Sequence, residues 1–202
     1  MFSNTLVTTE DLAAHLDDPN WVILDCRFTL TDTEAGRQAY EKAHIPGARY
    51  VHLDDDLSAP TGETTGRHPL PDPRVLTEKL CDWGVGVNKQ VVVYDDSYGA
   101  MASRLWWMMR WLGHPGVALL DGGYPKWVRE KRPVNADIPA PHRGTCACLP
   151  EPTQIVGADE VLHASKSGDQ LIIDARPDRR FSGEFEPLDP VAGHVPGAIN
   201  YP

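Results

Sequence analysis

Hydrophobic residues in this chain come in short, dense runs separated by polar turns. The densest is Val91-Val92-Val93-Tyr94, bounded by Asn88-Lys89 before it and Asp95-Asp96 after it. A short β-branched run of this kind predicts a strand buried on both faces. Asp95 to Gly99 is a polar, glycine-containing turn. From Met101 to Leu112, Leu, Trp and Met fall on most sides, with only Ser103, Arg104 and Arg110 polar. That pattern predicts a buried helix. Gly113-His114-Pro115-Gly116 stops it, and Val117 to Leu120 predicts a second buried strand ending at Asp121-Gly122-Gly123. Strand, tight loop, helix and parallel strand make a βαβ unit of an α/β domain. Ligands of such sheets bind beyond the carboxyl ends of the strands. The loop Asp95 to Gly99 is therefore singled out, because backbone N–H groups at a helix N-terminus suit an anion.

The flanking segments extend the same architecture. Thr8-Thr9-Glu10-Asp11 predicts a helix start with acidic residues in its first turn, closed by Asp18-Pro19-Asn20. Trp21 to Asp25 predicts a short buried strand leading to Cys26-Arg27, and a polar helical stretch follows. Residues 54–74, rich in Asp, Gly, Thr and Pro, read as a long loop, which in a compact domain is functional or mobile. Val75 to Trp83 predicts a helix closing at Gly84. Residues 133–154 hold prolines without apolar periodicity and read as a linker.

Beyond the linker the pattern returns. Leu171-Ile172-Ile173-Asp174-Ala175-Arg176 matches Val22-Ile23-Leu24-Asp25-Cys26-Arg27, and Gly193-His194-Val195-Pro196-Gly197-Ala198 matches Ala43-His44-Ile45-Pro46-Gly47-Ala48. Asp25 and His44 lie 19 residues apart, Asp174 and His194 lie 20 apart. Two motifs in one order at nearly one spacing are an internal repeat. The expected organisation is a first domain at 1–132, a linker at 133–154 and the opening of a second domain at 155–202. A partial domain cannot bury a sheet on both faces, so 155–202 is expected to be poorly stable unless docked on the first domain.

Composition narrows the partners. The 202 residues are 41% hydrophobic, enough for a packed core. A net charge of −10 and a pI near 5.2 argue against nucleic acid or an anionic membrane surface. There is no signal-peptide pattern and no apolar run of about 18 residues, so a soluble, cytoplasmic protein is expected. The four cysteines, Cys26, Cys81, Cys146 and Cys148, are too scattered for a disulfide scaffold.

The paired His-Ile/Val-Pro-Gly-Ala motifs, the Asp-Cys/Ala-Arg strand ends, SRLWWMMRWLGH and LDGGYPKW together resemble the tandem-domain rhodanese family, essentially end to end. The resemblance implies an α/β fold with a central parallel sheet flanked by helices, followed by the first part of a second such domain. It implies a sulfurtransferase that moves a sulfane sulfur from thiosulfate, or alternatively 3-mercaptopyruvate, to cyanide, a thiol or a protein acceptor through a cysteine persulfide, with no cofactor. A thiolate held by backbone N–H groups at a helix N-terminus suits that chemistry. The nucleophile is expected in the loop after the central strand of the second domain, by the repeat near roughly position 245 of about 280 in all. In the first domain Asp95 takes that place, and a carboxylate cannot form a persulfide. This domain is then a scaffold and one wall of an interdomain cleft.

The resemblance also assigns side chains. Arg180 matches the family arginine that binds the anionic group of the donor, with Arg176 a second candidate; a surface salt bridge is the other reading of Arg180. Mercaptopyruvate-preferring relatives carry a further arginine after the Glu-Pro of this loop. Here Leu188 follows Glu186-Pro187, which favours thiosulfate. His68 sits where mercaptopyruvate-type relatives place a histidine, with Asp54 as its candidate carboxylate partner. Such a pair could orient and protonate a leaving group; a loop histidine without a role is the alternative. His44 and His194 read as props of turns made by Gly47 and Gly197, and Cys26 and Cys81 as small buried hydrophobes. Cys146-Ala147-Cys148 lacks further ligands and is a weak metal signal, so no metal is assigned. A phosphatase on the related fold fails for want of a Cys-x5-Arg loop. Two readings stay open. The chain is a fragment of an active enzyme, inert alone, or a binding module that recognises an anion or partner with the Asp95 loop. Its stop at Asn200-Tyr201-Pro202, midway through a repeat, favours the fragment.

Overall fold

The computed structural model describes residues 2–140, 142–145 and 155–202, which fall into two compact units divided between residues 151 and 152. In the first unit five parallel strands, β1 (Leu6–Val7), β2 (Trp21–Asp25), β3 (Arg49–Tyr50), β4 (Gln90–Tyr94) and β5 (Val117–Leu120), form one sheet in the order β1-β5-β4-β2-β3. The central strand β4 (Gln90–Tyr94) is buried at all five positions. It pairs with β2 (Trp21–Asp25) from Trp21↔Gln90 to Asp25↔Tyr94, and with β5 (Val117–Leu120) from Val91↔Val117 to Val93↔Leu119. Alternate side chains of a strand point to opposite faces, and here each face has its own core. Val91 and Val93 pack with Leu24, Leu80, Leu105 and Met109, whereas Val92 and Tyr94 pack with Leu12, Ile23, Ile45 and Trp127.

Helix boundaries follow local chemistry. The hydroxyl of Thr8 accepts from Asp11 N at 3.0 Å to start α1 (Thr9–Ala14). α2 (Ala35–Lys42) occupies the expected polar stretch. α3 (Pro73–Asp82) begins two residues before the predicted Val75, because Asp72 caps it and Pro73 suits a first turn. It closes at Gly84, which takes φ +86°.

α4 (Ala102–Trp111) buries Ala102, Leu105, Met108, Met109 and Trp111. It is not buried all round as its composition predicts: Ser103 and Arg110 are exposed, and Trp106 and Trp107 are half-buried. A sheet covers one side of a helix only. The outer side is instead tied down by Trp106, whose indole donates to Asn4 O at 3.0 Å under the Arg110 guanidinium.

Three elements had no predicting pattern. The strands β1 (Leu6–Val7) and β3 (Arg49–Tyr50) are two-residue edges. The helix α5 (Gly123–Arg129) starts on consecutive glycines, Gly122 and Gly123, both at positive φ. A Cβ on Gly123 would lie 2.5 Å from Asp95 O, so glycine lets α5 press against the end of β4.

The expected linker begins later than composition suggests. Asn135 exchanges two backbone hydrogen bonds with His44 at 2.8 and 3.0 Å, Trp127 donates to Pro133 O at 2.8 Å, and Arg49 donates to Ala140 O. Gly144 N donates to Cys81 O at 2.8 Å. Residues 133–140 and 142–145 are thus a strap on the first unit, since prolines remove donors but leave carbonyls to accept. The rest of that stretch, with Cys146 and Cys148, lies outside the described residues.

The second unit holds α6 (Ala158–Ser167), β6 (Ile173–Asp174), α7 (Asp178–Phe181) and β7 (Ile199–Asn200). β6 and β7 pair in parallel, Ile173↔Ile199 and Asp174↔Asn200. This is the register of β2 on β3, Leu24↔Arg49 and Asp25↔Tyr50. Ala164 and Ala198 are the buried hydrophobics described here, while Leu171, Ile173, Val191 and Tyr201 are exposed. No helix among the described residues is long and apolar enough to cross a membrane.

If the core is divided as described, Leu105→Ala should cost about 2–5 kcal/mol. Ser103→Ala, two residues away on the solvent side, should stay within about 0.5 kcal/mol. Urea denaturation of the two variants measures the contrast.

Candidate functional site

At the carboxyl end of β4 the chain turns through Asp95 to Gly99, with Tyr98 at φ +59° and Gly99 at φ +89°. Asp95 is buried at the centre of this turn. Its Oδ1 accepts from Ser97 N at 2.9 Å and Gly99 N at 2.8 Å; its Oδ2 accepts from Met101 N at 2.8 Å and Ala102 N at 2.9 Å. The ring of N–H groups expected to suit an anion exists, and the chain fills it with its own carboxylate. The expectation that this loop recognises an outside anion is therefore corrected: its donors are already satisfied by charge-assisted bonds.

The Asp-x-Arg strand ends do a second job. Arg27 grips Asp25 through Nε (3.0 Å to both oxygens) and NH2 (2.7 Å), donates to Ala43 O at 2.8 Å, and lies over the Tyr124 ring. Tyr94 OH completes the network with a 2.7 Å bond to Asp25. Breaking a buried pair by removing one partner typically costs about 3–5 kcal/mol. Burial, then the neighbouring Asp25, pushes the Cys26 thiol well above its ordinary range, and a neutral thiol is not a nucleophile. Cys81 is also buried.

The second unit repeats the arrangement. Arg176 holds Asp174 through Nε at 3.0 Å and NH2 at 2.6 Å, and NH2 donates to Gly193 O at 2.6 Å, as Arg27 does to Ala43 O. His44 stacks on Tyr40 with centroids 3.9 Å apart and Nδ1 bonded to Tyr40 O at 2.7 Å. His194 stacks on Phe181 at 3.7 Å and bonds Phe181 O at 2.7 Å. Gly47 and Gly197 take φ +80° and +81°. Tyr40 and Phe181 sit at different distances from their histidines in sequence, so this equivalence escapes alignment of the motifs.

Arg176 and Arg180 meet on one carboxylate. Arg180 donates from Nε to Glu186 at 3.0 and 3.2 Å and from NH2 to Asp189 at 2.8 Å, while Arg176 NH1 lies 3.4 Å from Glu186. The Arg180 bond, and then N–H donation from Leu188 and Asp189, holds the Glu186 carboxyl down at about 2 against the cost of burying it. Arg176 stands where Arg27 stands, as a fastener of its strand end. Glu186 and Asp189 carried no predicting pattern, because only the fold-back of their loop aims them at Arg180.

His68 and Asp54 are brought together: Nε2 lies 3.1 Å from Oδ1. Arg104, the lone arginine on the inner half of α4, ties the loop down by donating to Leu57 O at 2.8 Å and His68 O at 2.9 Å. The pair borders an open hollow of about 690 Å³. Burial lowers the His68 pKa despite the opposing charge of Asp54. A neutral ring with Nε2–H on Asp54 offers Nδ1 as an acceptor, so the geometry suits taking up a proton rather than delivering one. Among the described residues no group of three or more His, Cys, Asp or Glu could hold a metal ion.

Comparison with known proteins agrees with this architecture. Residues 8–130 match the family model "Rhodanese-like domain". The chain belongs to the rhodanese family. It is 44% identical to the "Probable 3-mercaptopyruvate sulfurtransferase" of Pseudomonas aeruginosa, over 98% of this chain and 70% of that protein. Against "Thiosulfate sulfurtransferase" of Gallus gallus the identity is 31%, over 89% of this chain and 62% of that protein. The crystal structure of the 3-mercaptopyruvate sulfotransferase SseA from Escherichia coli superposes with a TM-score of 0.87 at 33% identity, covering 99% of this chain and 75% of that one. The rhodanese relatives act as sulfurtransferases by name, on two different donors.

Titration of the His68 ring followed by NMR should give a midpoint below 6.5. Asp54→Asn should lower it further, since that charge favours the imidazolium. Because the unfolded chain takes up this proton first, the contribution to stability is full above pH 6.5 and declines as the pH falls below it.

Proposed function

We propose that this chain is the non-catalytic first domain (residues 1–132), a proline-rich connection (133–154) whose first part straps that domain, and the opening of the second domain (155–202) of a sulfurtransferase. It moves a sulfane sulfur from thiosulfate to a thiophilic acceptor, cyanide or a thiol. The observation that carries this reading is the Asp95 ring: four backbone N–H groups gathered on one anionic side chain at the end of the central strand. A cysteine in the equivalent loop of a second domain would be held as a thiolate by the same ring. That thiolate attacks the outer sulfur of thiosulfate, the S–S bond breaks, and sulfite leaves with the bonding electrons. The acceptor then attacks the outer sulfur of the persulfide, whose S–S electrons return to the thiolate.

Among the described residues the ring is closed by Asp95, and Cys26 and Cys81 are buried; this reading looks for the sulfur-carrying cysteine in the equivalent loop of a complete second domain, beyond residue 202. The matched register of β6 on β7 and the Asp174–Arg176–Gly193 contacts support reading the second unit as the start of a second domain. Arg180 is assigned to the donor anion, with Arg176 fixing its strand. A reducing cytoplasm fits the free thiols. Donation by 3-mercaptopyruvate is the second reading, favoured by the His68–Asp54 contact: when the C–S bond breaks, its electrons stay on an enolate that must gain a proton, which a histidine can take from the donor's thiol and hand on, whereas sulfite leaves thiosulfate without one.

The test is to load the protein from its own host with thiosulfate and map the persulfide by peptide mass spectrometry. The sulfur should be found on a cysteine beyond the 202 residues, and these residues expressed alone should yield no thiocyanate. A persulfide on Cys26, Cys81, Cys146 or Cys148 overturns the assignment.

A further inference from the structure

Asp54 and His68 stand 14 residues apart on opposite arms of an irregular loop, yet their side chains meet at 3.1 Å. Loop residues hold such a contact only when both backbones are fixed to a common support. Arg104 reaches both arms. Its Nε and NH2 donate to Leu57 O at 3.2 and 2.8 Å, three residues beyond Asp54, and NH2 also donates to His68 O at 2.9 Å and Pro69 O at 3.3 Å. The arms touch directly as well, where Ala59 N donates to Pro69 O at 3.0 Å. Arg104 itself sits in the first turn of α4, next to Met101 and Ala102, whose N–H groups are bonded to Asp95. A hollow of about 250 Å³ bordered by His68, Met101 and Arg104 lies alongside.

We propose that Arg104 is a positioning residue for the His68–Asp54 pair: its planar fork grips both arms of the loop and sets how the two side chains face each other and where they stand relative to the Asp95 turn. Its part in turnover rests on the 3-mercaptopyruvate reading of that pair. A lysine would bring the charge to one point without the fork that spans Leu57 O, His68 O and Pro69 O. His68 faces the negative charge of Asp54 and the positive charges of Arg104 and Arg67. Loss of Arg104 therefore acts on the ring through charge as well as through position. The two separate when Asp54→Asn is made with and without the Arg104 substitution, because the charge of Arg104 cancels in that comparison and the contact does not.

The experiment follows the His68 ring by NMR in the 202-residue chain and reads how far Asp54→Asn moves its titration midpoint. In an Arg104→Lys background that displacement should shrink to less than about half of its size in the wild-type background. Arg104→Met, which removes charge and fork alike, repeats the comparison independently and should shrink the displacement further. A displacement of full size in folded Arg104→Lys overturns the proposal. In the whole protein from its host, Arg104→Lys should slow 3-mercaptopyruvate turnover roughly tenfold. Added to His68→Asn it should cost nothing more, since it acts through His68; losses that multiply overturn the positioning role. If His68→Asn alone leaves that turnover unchanged, the 3-mercaptopyruvate reading of the pair falls, and the NMR comparison still decides what Arg104 does.

Discussion

Backbone N–H groups at the end of a buried parallel strand need a partner, and in this protein the whole front of the first unit depends on how Asp95 supplies one. β4 is covered on both faces and both edges, and it delivers the chain into a turn that shows Tyr98 to water but keeps Asp95 buried. Four donors converge there, and a carboxylate answers them with two oxygens. Gly123 brings α5 against the same turn, and α4 grows directly out of it. The geometry is one that stabilises negative charge whatever atom bears it. Placing a carboxylate there makes a structural plug.

The second recurring constraint is the Asp-x-Arg strand end. Arg27 and Arg176 each fold back on the aspartate two residues before them and donate to the carbonyl just ahead of a histidine that stacks on an aromatic ring. A buried guanidinium needs this full set of acceptors. Arg180 lies close in sequence but meets carboxylates from a different loop, one of them half open to solvent.

Much of this was legible in the amino-acid pattern and some was not. β2, β4 and β5 were, because a two-sided strand admits almost nothing but β-branched and aromatic residues. The repeat aligned Arg176 with Arg27, and its contacts with Asp174 and Gly193 O match those of Arg27 with Asp25 and Ala43 O, whereas the sequence had offered it as a donor-binding candidate. The pairing of His68 with Asp54 came through resemblance, since a 14-residue separation inside an irregular loop has no period to read. α5 escaped because its glycines, which look like a turn, serve a close approach. The strap at 133–140 and 142–145 escaped because a proline-rich segment pairs through its backbone rather than through side-chain pattern. Carboxylates such as Glu186 and Asp189 gain meaning only when a fold-back aims them.

The central claim, that the loop after β4 is built to hold negative charge and is filled here by a carboxylate, is tested most directly by titrating the thiol of an Asp95→Cys variant. Four N–H donors should hold it as a thiolate with a pKa well below the ordinary value of about 8.5. A thiol titrating at or above that value in the folded protein would contradict the account.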